Sequence, residues 1–128
     1  MSLRRPHLSA EFLQWFGLGA GALVWASQHV IGYGTTVARC GAANAVFSLD
    51  LHTWELTTGL VGVAFCVAAQ AASVVVVVRT SGISYDGPPP DARRRFFALA
   101  ALVANTLFLV AILFSSISSL AFDPCRQG

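Results

Sequence analysis

Residues 96–122 form a run without one formal charge, opened by Arg93, Arg94 and Arg95. At about 1.5 Å rise per residue, a helix of this length exceeds the ~30 Å hydrocarbon core of a bilayer, so it can span with some tilt. No other feature narrows the folding possibilities as far. The arginines also orient the span, because basic residues near span ends resist translocation. Composition agrees, with 55% of residues hydrophobic and 11% charged, where soluble domains carry roughly a quarter charged residues.

Two more uncharged runs cover residues 12–38 and 56–78. Before the first, Ser9 is placed as an N-cap and Glu11 falls in the first turn, where an anion complements the helix dipole. Gln14 and Trp15 interrupt what would be the apolar core of a signal peptide, and no A-x-A-like cleavage site follows. This run is therefore expected to stay as an anchor. The second run follows Glu55 and ends in five consecutive valines before Arg79. In water those valines favour a strand, but a lone strand in lipid leaves its backbone unpaired, so a helix is expected.

Residues 42–51 are apolar enough to lie along the membrane interface, as a short helix. Residues 80–92, with Gly82, Gly87 and the triplet Pro88, Pro89, Pro90, read as a semi-rigid connector, after which Asp91 can cap a helix. The expected fold is all-α: one domain over residues 1–128, a polytopic membrane protein with three transmembrane helices at about 10–36, 55–79 and 93–122. In that arrangement Arg4, Arg5, Arg79, Arg93, Arg94 and Arg95 share one side, and Arg39 and Arg126 the other. That bias places the N-terminus in the cytoplasm and the C-terminus outside.

The same topology sets Cys40 and Cys125 just beyond the outer ends of the first and third spans, in an oxidising compartment where a disulfide persists. A bridge between them is expected, clamping the two helices. Chain entropy alone would give roughly 4 to 5 kcal/mol for so long a loop, an upper bound because insertion already restricts the unfolded chain. Cys66 lies mid-span and reads as a small apolar residue.

Polar and small residues within the spans point to helix packing. Gln70 and Asn105 sit at nearly one depth and are placed to bond the second helix to the third, for ~0.6 to 2 kcal/mol. Gly17, Gly21, Gln28 and Gly32 share one stripe of the first helix, and Trp25, His29 and Tyr33 another. Ala64, Ala68 and Ala72 repeat the small-residue spacing on the second. Such faces suggest contact with other membrane-protein subunits as well as lipid.

His29 is the ionisable residue inside a span, and such residues are functional candidates by default. With His52 it could ligate a haem b, Asp50 and Glu55 lying near, but His52 belongs at the boundary about two turns from the depth of His29. A neutral histidine in a helix interface is the simpler reading, with no metal or cofactor expected. Catalytic patterns are absent: no acidic pair within the spans, no H-E-x-x-H, no phosphate loop. Ser115, Ser116, Ser118 and Ser119 have no base placed to activate them.

The pattern Trp25, His29, Tyr33 and Cys40, two further spans, and a terminal Asp123, Pro124, Cys125 resembles small three-helix inner-membrane proteins of proteobacteria associated with haem-copper cytochrome c oxidase clusters. The resemblance implies an inner-membrane location and a role beside a respiratory oxidase or its assembly, and it carries over no catalytic residues. The Pro-rich connector and the valine block lie outside that pattern. The expected function is accordingly a non-catalytic integral subunit or assembly partner of a respiratory membrane complex. The alternatives are a self-assembling membrane protein forming a pore or lipid-binding oligomer, and a haem-binding electron carrier.

Overall fold

The computed structural model describes residues 8–41 and 50–126. Nearly all of them lie in three long helices, α1 (Ala10–Cys40), α2 (Leu51–Arg79) and α3 (Asp91–Ala121), with one 3-10 turn at Pro124–Arg126. Each helix packs along the other two. Both α2 and α3 are long and apolar enough to cross a membrane. Three apolar spans were expected, and α1, with the same 31 residues as α3, does not reach that apolar content. The reason is its sequence: Gln14, Gln28, His29 and the glycines at 17, 19, 21, 32 and 34 dilute the aliphatic residues.

Helix ends follow local chemistry. The Ser9 hydroxyl accepts from the Phe12 N–H at 3.1 Å and starts α1. α2 begins four residues before the expected boundary at 55, because the Asp50 carboxylate caps it. That carboxylate accepts from the Thr53 hydroxyl at 2.7 Å and the His52 N–H at 3.2 Å. The Thr53 hydroxyl, and after it the backbone N–H groups, hold the Asp50 carboxyl below the ordinary aspartate range. A value lowered by folding means that the cap stabilises above the ordinary range and is lost as pH falls through the lowered one. Thermal melts followed by circular dichroism at neutral and acid pH should therefore show an acid-side loss of helicity that Asp50→Asn reduces. The interfacial helix expected over residues 42–51 falls outside the described residues, save that Leu51 opens α2.

Pro90, already at helical backbone angles, flanks α3 without a side-chain cap. Asp91, expected as the cap, stands instead in the first turn, where it meets the dipole and pairs with Arg94 at 3.0 Å. Arg95 ties down the connector: it donates to the carbonyls of Ser81 and Ile83 and lies 4.6 Å from the centroid of the Tyr85 ring. Replacing it by methionine should cost about 1 kcal/mol locally. The expected readout is faster amide exchange and easier proteolytic nicking across residues 81–87.

The interior changes character along the bundle. At the arginine-bearing end Leu13, Ala72, Val76 and Ala98 form an apolar cluster, flanked by Phe16 and Val77. Midway the contacts pass to glycines and small polar side chains. At the disulfide-bearing end the helices border a partly open cavity with polar side chains in its wall.

Candidate functional site

In the middle of the bundle, glycines on one helix meet side-chain oxygens on another. A Cβ at Gly17 would collide with the Ser73 hydroxyl and crowd the Ser73 backbone nitrogen at 3.3 Å. At Gly21 it would strike the Asn105 amide oxygen, and at Gly59 the Ser116 hydroxyl. Each glycine thus offers an α-hydrogen to an oxygen, a weak contact that recurs where helices approach closely. Asn105, 1% exposed, completes the join by donating from Nδ2 to the Gly17 carbonyl at 2.7 Å.

These positions differ in part from the expected ones. Gln70 and Asn105 do not bond each other: Gln70 donates to the Thr106 hydroxyl at 3.2 Å, while Asn105 turns to α1. Neighbouring positions 105 and 106 point about 100° apart on a helix, so only one of them can meet α2 at that edge. On α2 the packing face is Gly59, Gly62, Cys66, Ala69, Ala72, Ser73 and Val76, so that of the three alanines Ala72 is buried. Ala64 and Ala68, expected to pack, lie on the exposed side. Small residues occur all round α2, and the spacing alone could not choose between the stripes.

Toward the other end the half-buried Gln28 of α1 reaches α2, its Oε1 lying 3.3 Å from a Cβ placed at Gly62. Beyond it a partly open cavity of about 320 Å³ lies between α1 and α3, with α2 contributing Glu55 and Thr58. His29, Tyr33 and Thr36 line it from α1, and Ser116 and Ser119 from α3. The His29 ring sits against the Trp25 indole, centroids 4.6 Å apart, and its Nδ1 donates to the Trp25 carbonyl at 2.9 Å. The Gln28 Oε1 and one Glu55 carboxylate oxygen are sealed from solvent with no donor among the described residues.

The trio Asp50, His52 and Glu55 is divided by the structure. Asp50 is a cap, His52 is exposed at the start of α2, and Glu55 faces the cavity. No group of three or more His, Cys, Asp or Glu side chains able to hold a metal ion occurs among the described residues. Thr36, Thr58 and Gly59 were not legible as site residues, because their meeting depends on the register among three helices.

Cys40 and Cys125 are joined, with Cα atoms 5.3 Å apart, linking the ends of α1 and α3. Since those helices form the two walls of the cavity, the bridge straps its far end. A second cavity of about 400 Å³, at the arginine-bearing end, is lined by Glu11 as well as Arg93 and Arg94, so neither charge sign dominates it. Searches of protein families, curated proteins and solved structures find no match to this chain.

Proposed function

We propose that the protein is a non-catalytic integral membrane component that packs against the spans of a larger complex. In this reading all three helices cross the bilayer, with the arginine-bearing end in the cytoplasm and the disulfide-bearing end outside. A bacterial inner membrane and a respiratory, cytochrome oxidase-type partner are what the resemblance of Trp25, His29, Tyr33 and the terminal cysteine motif implies.

One observation carries the packing role: α1 has the length of a span but not the apolar content, and part of its dilution has no use inside the bundle. Gly17 and Gly21 receive neighbouring side chains, whereas among the described residues nothing lies within 4 Å of a Cβ placed at Gly19 or Gly34. An interior helical glycine costs about 1 kcal/mol relative to alanine. Glycines without an internal neighbour make sense where another helix approaches from outside, through the close contacts that hold helices together in lipid.

Affinity purification of the full tagged chain in mild detergent tests this. Co-purification of other membrane subunits, lost with Gly34→Leu, is the expected result. Recovery as a lone monomer contradicts it, and a defined homo-oligomer by native mass spectrometry points to the self-assembling alternative. A Soret band in the purified chain would favour the haem carrier instead.

A further inference from the structure

The cavity at the disulfide-bearing end presents several committed hydrogen-bond acceptors beside the hydroxyls of Tyr33, Thr36, Ser115 and Ser118. Hydroxyls can donate or accept, but those of Thr58, Ser116 and Ser119 direct their protons to the helical carbonyls of Trp54, Ile112 and Ser116, at 3.0, 2.9 and 2.8 Å. What these three retain for a ligand is lone pairs. His29 is committed in the same way. The Trp25 carbonyl can only accept, so Nδ1 carries a proton, and whenever the ring holds one proton Nε2 is left as an acceptor. Glu55 lines the cavity as well, with one carboxylate oxygen sealed and without a donor among the described residues, while the Gln28 Oε1, likewise without a donor, is turned toward Gly62 of α2 at the cavity's inner edge. Glu55 is also the one formally charged residue of the lining.

A ligand for such a site must be cationic and must bring several N–H donors. We propose that this cavity binds a primary ammonium group, carried either by the ethanolamine headgroup of a phospholipid or by a small soluble amine. An anion would meet the Glu55 carboxylate, and among the described residues no cationic side chain other than a protonated His29 lines the cavity to balance it. A quaternary ammonium would present methyl groups to oxygens that need protons, leaving them unpaired. A bare metal ion fits poorly, since no three His, Cys, Asp or Glu side chains converge there among the described residues. The position also suits a lipid headgroup, because the cavity lies between two helices and near their ends, where spans of this length reach the polar layer of a bilayer. The inference does not depend on any partner complex.

The full chain in phosphatidylcholine nanodiscs provides the test, because that headgroup differs from ethanolamine by methyls in place of the N–H donors. Including phosphatidylethanolamine, or titrating free ethanolamine into the phosphatidylcholine discs, should raise the thermal midpoint. Response to the lipid assigns the headgroup as the source, and response to free ethanolamine assigns the soluble amine. Glu55→Gln should weaken the apparent affinity at least about tenfold, and Gln28→Leu, which leaves the charge in place, several-fold. Both variants are first checked for the Cys40–Cys125 bridge on a non-reducing gel. Gln70→Leu, remote from the cavity, should bind as the parent does. The proposal is overturned if neither form of ethanolamine has an effect, if tetramethylammonium or calcium matches it, or if Glu55→Gln and Gln28→Leu both respond as the parent.

Discussion

Gly17→Leu is expected to destabilise the bundle by about 2 to 3 kcal/mol, while Gly19→Leu, two residues away, should leave the isolated chain's stability unchanged or raise it by up to about 1 kcal/mol. The contrast follows from what each position faces. A side chain at Gly17 would meet the Ser73 hydroxyl, which could rotate, but also the Ser73 nitrogen at 3.3 Å and the Ala69 carbonyl at 3.4 Å, which are backbone of α2 and cannot yield without moving the helix. At Gly19 nothing among the described residues lies within 4 Å. Helix propensity favours leucine over glycine at both sites, so it cannot produce the difference. Tryptophan fluorescence during unfolding of the detergent-solubilised chain would measure both. Equal losses would mean that α1 does not pack on α2 through this face.

The second large effect belongs to the disulfide. Removing Cys40 opens a loop closed across a sequence separation of 85 residues. The chain-entropy term is about 4 to 5 kcal/mol, and membrane insertion already constrains the reference state, so Cys40→Ser should cost about 2 to 3 kcal/mol. Cys125→Ser should cost the same, and the double variant no more than either single one, because each removes the same bond. Additive losses would show that the thiols act separately.

Much of the local structure was legible in the sequence, for reasons tied to particular residues. Ser9 and Glu11 located the start of α1, and the arginines at 79 and 93–95 bracketed the connector. Reading the cysteines together with a three-helix topology paired Cys40 with Cys125, because an odd number of antiparallel helices leaves the first and last with their C-terminal ends together. The start of α2 was set too late because Glu55 looked like a boundary charge, while Asp50 with Thr53 already formed a side-chain cap. Lateral register was the harder problem. Ala64 and Ala68 are as small as the residues of the covered face, and the approach of Ile112 and Ser116 from α3 and of Gly17 from α1 determines which stripe of α2 is covered. The cavity was out of reach for the same reason: Glu55 and Gln28 are 27 positions apart, and no spacing rule connects them.

The limited apolar content of α1 has a structural use. Its glycines admit Ser73 and Asn105, and its polar side chains Gln28 and His29 help form the cavity. A more aliphatic first helix would be a better isolated span, but would lose both the close approach in the middle and the polar wall of the cavity.

The most direct test of the proposed arrangement is the sidedness of the two ends. Ser2→Cys and Gln127→Cys are introduced separately into the chain lacking Cys40, Cys66 and Cys125, and intact cells are treated with a membrane-impermeant maleimide. The account predicts that the cysteine at position 127 reacts at once, while that at position 2 reacts only after permeabilisation. Labelling of both from the same side would mean that α1 does not cross beside α2 and α3, and would contradict it.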